Sequence, residues 1–362
     1  MTPQKAQQTL SKTSAHPVYR SLIGALGLCT LVFGLLACSA GRPVQRWNED
    51  FLQAARLQDQ RQFDEAEQHY VALRARATTD GQRRQIDFEL ANITLRRGDK
   101  DGALAAYKAI WDSPVKDSVG GRALHESARI VAEKDLERAL LLHRTVITEY
   151  PEHVAADFSL SVLRIHYGRT KEHHVLLELL DALYAVVAPS SIANHILFTR
   201  AVLLETELRD EDGALETYTR LYRGCDGCSL GDEALWQMAQ IYVRRQHWQP
   251  AITILEALAA RVETSWFVGT YNSPRAGDSR YQLGMICMLH RNDYDRASEH
   301  FELYIKTFPH NVETDDAAWH LVQIERLRGQ TNAYQQGLLA FEKHYPDSRH
   351  VATARARLGS RP

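Results

Sequence analysis

The chain has 362 residues and lacks several features that would place it quickly. Its apolar stretch near the start, Leu22–Ala37, is sixteen residues long, whereas a membrane-spanning helix needs about 20. It has no surplus of positive charge. With 43 Lys+Arg against 45 Asp+Glu there is no basic footprint for nucleic acid. Sixteen histidines are present, yet no HExxH and no His/Cys pairs at zinc spacing occur. His173 and His174 are adjacent and so point to different faces. No segment is of low complexity. Cysteine is scarce, at five residues, so each one can be followed individually. These absences argue against a nucleic-acid binder and a metal enzyme, and no cofactor, metal or small-molecule substrate is expected.

The first 21 residues carry Lys5, Lys12 and Arg20 and no acid. A basic segment before a short apolar core reads as a secretory signal, the alternative being an uncleaved anchor helix. The core ends at Leu35-Leu36-Ala37-Cys38, which resembles the lipobox of bacterial lipoproteins. That resemblance implies a signal peptide over residues 1–37, a lipid-modified Cys38 and a short tether over 38–46. Acyl chains on Cys38 would hold the protein on a membrane, each buried methylene contributing about 0.8 kcal/mol. Ser39 stands where an Asp would imply inner-membrane retention, so the expected location is the outer membrane, on its periplasmic face. Loss of the signal removes three positive charges and leaves a formal charge of −5.

The same reading sorts the cysteines. Cys29 leaves with the signal and Cys38 is modified, so Cys225, Cys228 and Cys287 remain. In an oxidising compartment the "CDGC" of Cys225 and Cys228 is expected to be a local disulfide, with redox activity, free thiols or metal as alternatives. Cys287 is expected to be buried on a helix.

The body of the chain is repetitive. "DEALWQMAQIYVRRQHWQPAITIL" places Ala239, Tyr242, Trp248, Ala251 and Leu255, and the second half of that pattern recurs. It is seen at Phe63, Ala66 and Tyr70; at Ala103, Tyr107 and Ile110; at Ala139 and Val146; at Ala214, Tyr218 and Leu221; and at Tyr294, Ala297, Phe301 and Tyr304. A last copy has Gly337 and Phe341 but reaches Pro346 three residues early. Successive small residues are 37, 36, 75, 37, 46 and 40 apart, and the value 75 hides a degenerate unit near Leu176–Tyr184. Pro114, Pro151, Pro309 and Pro346 fall just beyond the second helices, and Gly98 and Gly329 fall in the turns between helices.

The pattern resembles the tetratricopeptide repeat (TPR), in which two helices pack at small residues. The resemblance implies an all-α fold, an α-solenoid of about eight hairpins over residues 47–358, wound as a right-handed superhelix and without an internal domain boundary. The 46-residue period carries an insertion within "ETSWFVGTYNSPRAGDS", where Trp266, Phe267 and Tyr271 form a candidate binding loop or a cap over a gap between hairpins.

First helices are self-similar as well. "FELANITLRRG", "WQMAQIYVRRQ" and "WHLVQIERLRG" align without gaps, and "YQLGMICMLHR" is a weaker copy. The first three share an aromatic, an amide, an isoleucine and an arginine (Arg97, Arg245, Arg328). In TPR proteins this helix lines the peptide-binding groove. The resemblance therefore implies a groove formed by Phe88, Asn92, Trp236, Gln240, Tyr281, Trp319 and Gln323. The competing reading is packing between neighbouring first helices. Lysine stands at the aromatic position in TPR proteins that clamp a terminal carboxylate, so that mode is not expected.

"HESARI" sets Glu126 before Ser127, which resembles the Glu-Ser pair of lytic transglycosylases, but no Gly-Leu-Met-Gln stretch follows. Ser127 is instead expected to be a small residue at a helix contact, and no catalytic residue is assigned. The expected function is a non-catalytic lipoprotein scaffold that binds envelope proteins or peptides. It is similar in broad class to the outer-membrane assembly lipoprotein BamD and the Tol-Pal-associated TPR protein. The alternative is a peptidoglycan-processing enzyme or an accessory of one.

Overall fold

The computed structural model describes residues 46–225, 228–261 and 273–359. Among the described residues there are helices and turns and no strand. In chain order the helices are α1 (46–59), α2 (Phe63–Arg76), α3 (Asp80–Arg96), α4 (Lys100–Trp111), α5 (Ser118–Val131), α6 (Leu136–Glu149), α7 (Val154–Thr170), α8 (His173–Val187), α9 (Ser191–Thr206), α10 (Glu211–Gly224), α11 (Ser229–Arg244), α12 (Trp248–Ala259), α13 (Ala276–Ile286), α14 (Tyr294–Thr307), α15 (Thr314–Leu327), α16 (Thr331–His344) and α17 (Val351–Gly359). A π-helical turn, Cys287–Arg291, prolongs α13. In chain order the helices alternate as the first and second members of eight hairpin repeats, and α17 follows the last. The architecture is an all-α solenoid of stacked hairpins.

One register runs through all eight second helices. Counting from the first residue of each even helix, the residues three, seven and ten positions on are buried: Ala66, Tyr70 and Leu73 in α2; Leu176, Leu180 and Leu183 in α8; Ala297, Phe301 and Tyr304 in α14; Tyr334, Leu338 and Phe341 in α16. That spacing is one stripe of a 3.6-residue helix. It corrects the sequence reading of the last hairpin. Tyr334, not Gly337, holds the small-residue position, and the hidden fourth hairpin has Leu176 there. The spacings become 37, 36, 37, 38, 37, 46 and 37. Pro346 then follows Tyr334 by twelve residues, as Pro309 follows Ala297. The period was obscured because larger side chains fill a contact that alanine fills elsewhere.

The turn between helices is equally regular. A residue with positive φ stands five positions before the small-residue site in seven hairpins: Arg61, Gly98, Lys171, Arg209, Gln246, Asn292 and Gly329. Two of these are glycine, the residue that adopts this conformation freely. The other five bear side chains, so glycine alone does not reveal the turns. Four second helices, α4, α6, α10 and α14, open on an aspartate cap. Asp135, Asp210 and Asp293 accept from the backbone N–H three residues on, at 3.0, 2.9 and 3.2 Å.

The chain divides into two compact units, the first ending at Ala106 and the second starting at Tyr107, inside α4. An undivided array was expected from the sequence. In a stack, each hairpin touches chiefly its neighbours, so a division needs no linker or change of composition to mark it. The first unit is cored by Ala54, Ala66, Tyr70, Leu73, Ile86 and Ile93. In the second, clusters of buried residues succeed one another, from Leu124, Val146 and Tyr150 to Trp319, Phe341 and Val351. First helices touch directly here, α5 with α7, α7 with α9 and α9 with α11.

Candidate functional site

The aromatic and amide positions of the first helices are where a TPR groove is expected. In the second unit they form a ladder. Trp236 on α11 lies under the guanidinium of Arg275, 5.2 Å from the ring centre. Arg275 in turn makes a two-pronged bond to Glu233 at 2.8 and 3.0 Å and reaches Asp278 at 2.9 Å. The hydrogen bonds to Glu233 above all raise its already high pKa. Gln240 exchanges two amide hydrogen bonds with Gln282 on α13, at 2.7 and 3.2 Å. The hydroxyl of Tyr281 lies 3.1 Å from Nε2 of His320 on α15, and burial pushes that phenol up to about 12.

The ladder continues onto α17. The Trp319 ring is stacked on His350 at 5.0 Å and lies 5.5 Å from the Arg357 guanidinium. Arg357 donates to Gln323 Oε1 at 2.7 Å. Asp316 receives His350 at 2.7 Å and Arg349 at 2.6 Å. Burial pushes the Asp316 carboxyl up, and these two partners hold it below the usual range. In the first unit Phe88 is buried and Asn92 donates to Glu89 at 2.8 Å.

These contacts are of the kind that the packing alternative describes. Phe88 and Trp319 are too buried to offer a partner much surface. Trp236, Gln240 and Tyr281 spend much of theirs on side chains of the following hairpin, and Gln323 on Arg357 of α17. In the second unit the aromatic and amide register a first helix on the element that follows. The repeated arginine has a parallel role. Arg97 reaches back to Asp64 and Glu67 at 2.5 and 2.6 Å, Arg245 to Glu211 and Asp212 at 2.6 Å each, and Arg328 to Asp295 at 2.5 Å. Each joins the end of a first helix to the start of the preceding second helix. A cleft of about 500 Å³ beside Glu205, Arg209, Asp210 and Arg244 is lined by such ion pairs.

A different face stands open. On α7, Val154, Phe158 and Ile165 are 58, 57 and 44% exposed. Their offsets of four and seven residues put them on one side of the helix. The opposite side buries Ala156, Leu160, Leu163 and Tyr167. An amphipathic surface helix normally has one apolar stripe; α7 has two. The sequence reading missed this face because it falls in the degenerate hairpin. The available signal was that Val154, Phe158 and Ile165 recur four and seven residues apart, off the stripe of Ala156, Leu160, Leu163 and Tyr167.

The remaining candidates resolve individually. Ser127 is buried; its hydroxyl donates to the Ala123 carbonyl at 2.8 Å and accepts from Trp111 Nε1 at 3.2 Å. Glu126 accepts from Arg129 at 2.8 Å. Cys225 and Cys228 are joined by a disulfide, and the Cys228 sulfur caps α11 by accepting the Gly231 N–H at 3.2 Å. Cys287 is buried, which pushes its thiol pKa up. Among the described residues, no group of three or more His, Cys, Asp or Glu is placed to hold a metal. No described helix is long and apolar enough to cross a membrane. The signal segment, Cys38, most of the tether, Trp266, Phe267 and Tyr271 lie outside the described residues.

A tetratricopeptide-repeat family model matches residues 51–113, and a second matches residues 233–265. No curated protein matches the chain. Among solved structures, a tetratricopeptide repeat protein from Parabacteroides merdae is 17% identical, with 77% of this chain and 99% of that one covered and a TM-score of 0.32. The C-terminal part of a TPR repeat-containing protein from Cytophaga hutchinsonii is 11% identical, with 74% and 98% covered and a TM-score of 0.42. PilF of Pseudomonas aeruginosa is 12% identical, with 64% and 95% covered and a TM-score of 0.35. Likeness at this level says nothing about partners. Residues 51–113 and 233–265 are thus tetratricopeptide repeats, set in a chain built of helical hairpins.

Proposed function

We propose that this protein is a non-catalytic scaffold that binds envelope proteins or peptides on the exposed face of its first helices. The observation that carries this reading is the open apolar row Val154, Phe158 and Ile165. Large apolar side chains grouped on a rigid helix are a costly surface to leave in water and a usual one for docking. In this reading Cys38 is lipidated and holds the solenoid at the outer membrane, facing the periplasm. The tether is short, so partners are gathered close to the membrane.

Crosslinking and pull-down from cell envelopes tests the binding face. Phe158→Ser with Ile165→Ser is expected to reduce capture of specific partners at least tenfold with helical content unchanged. Capture equal to wild type would remove the α7 face from consideration. Trp236→Ala with Trp319→Ala serves as the contrasting variant: lost capture there, with α7 intact, would return the site to the ladder. The anchor is tested by labelling with a fatty-acid analogue, which Cys38→Ser should abolish.

A further inference from the structure

Seven of the eight second helices have an aliphatic or aromatic residue at the buried position seven residues in: Tyr70, Tyr107, Leu180, Tyr218, Leu255, Phe301 and Leu338. The third, α6, has His143, which is 2% exposed. Its Nδ1 lies 3.1 Å from Oγ of Ser159 on α7, itself fully buried, and Nδ1 of His125 on α5 lies 3.1 Å from the same oxygen. The two imidazole rings are 5.2 Å apart. Three helices thus meet at one hydroxyl between two titratable rings.

The hydrogen count of this cluster is restrictive. A serine hydroxyl has one hydrogen to give. It donates to one Nδ1 and accepts from the N–H of the other, so one Nδ1 must be unprotonated and the other protonated. A proton added to the accepting Nδ1 makes both rings donors. The hydroxyl then loses its acceptor, and an imidazolium is left in the core. The charged groups acting on the pair are Glu126, which favours a proton on His125, and Arg129, which opposes it; both are on α5. Around His143 the groups that act on it are His125 from α5 and Ser159 from α7. Burial accordingly holds both histidines below their ordinary value, His143 down to about 4.

The cluster also adjoins the exposed face of α7. The His125 ring is 6.0 Å from that of Phe158, one residue before Ser159. We infer that the third and fourth hairpins form an acid-sensitive joint, in which proton uptake by His125 and His143 releases α7 from α5 and α6 and remodels the face that carries Phe158. The regulatory consequence rests on the proposed binding role of that face; the joint itself does not.

Hydrogen exchange of the full chain tests the joint without any partner. After correction for intrinsic rates, peptides from 118–170 are expected to open more readily at pH 5 than at pH 7.5. For His143 alone the increase is roughly thirtyfold, because its folded-state pKa of about 4 lies below the ordinary 6.5. Peptides from α10 to α12 serve as the internal reference. His143→Tyr, which restores the residue found in α2, α4 and α10, and His143→Leu, which restores that of α8, α12 and α16, should each flatten the response. His125→Gln should reduce it. An equal acid response in wild type and in whichever His143 variant folds, or a response spread evenly over all hairpins, would overturn the inference. Capture through Phe158 and Ile165 at pH 7.5 tests the binding face alone, so failure of one reading is distinguishable from failure of the other.

Discussion

Gly284 on α13 lies so close to Phe301 on α14 that an added Cβ would stand 2.7 Å from the ring. Alanine favours a helix by about 1 kcal/mol over glycine, but the overpacked contact costs about 1–3 kcal/mol. Gly284→Ala is therefore expected to lower the denaturation midpoint, and a raised midpoint would show that the ring can move aside. Asp232 is fully buried and receives Arg261 at 2.5 Å. Arg261→Ala removes a partner from a buried carboxylate, and a loss of about 3 kcal/mol is expected in a urea titration. His143 gives the pH dependence. Its folded-state pKa, about 4, is below the unfolded value of 6.5, so the unfolded chain binds the proton more readily. The stabilisation is complete above the unfolded value and is lost as pH falls towards the folded one, up to about 3 kcal/mol. A thermal midpoint recorded against pH should show this slope in wild type and lose most of it in His143→Tyr.

Helix ends and helix faces carry different weights. Asp210 caps α10 by accepting the Gly213 N–H at 2.9 Å, and Asp210→Ala is expected to cost about 1 kcal/mol. Arg245 makes two ion pairs to α10, but Asp212 is 85% exposed and solvent screens the pair, so Arg245→Ala should cost less than Asp210→Ala. A larger loss from Arg245 than from Asp210 in paired unfolding curves would invert this ranking. Helices with alanine at the contact were legible from the sequence because a small side chain there admits the neighbouring helix. Those with Leu176 or Tyr334 were not, since a larger residue meets the same contact only if the surrounding packing yields. The turn residues Arg61, Lys171, Arg209, Gln246 and Asn292 were illegible for a related reason. Non-glycine residues enter the left-handed region at a cost of roughly 1–2 kcal/mol, which a packed hairpin can offset and a sequence pattern does not display.

At the scale of the molecule, each hairpin in a stack has its apolar face covered by the next element. For the eighth hairpin that element is α17. Val351 and Ala354 are buried in the cluster of Trp319, Val322, Leu338 and Phe341. Ending the chain after His344 would expose these side chains and remove Arg349, His350 and Arg357 from the ladder. The expected outcome is a protein that associates in size-exclusion chromatography and loses the exchange protection of α15 and α16 first, with α5 to α10 little changed. Uniform loss of protection along the second unit would instead show that its hairpins unfold as one.

The helical class, the hairpin period wherever alanine marks the contact, the charge and the cysteine inventory were legible in the chain, because they follow from composition, local spacing and side-chain volume. Tertiary structure decided where the repeated side chains point. Trp236 and Trp319 read equally well as a groove or as packing, until Arg275, His350 and Arg357 were found on their rings. The same holds for Ser159, which is an ordinary helix residue in sequence and the meeting point of two histidines in space. Contacts between successive hairpins join residues far apart in the chain, and no local pattern encodes which two faces will meet.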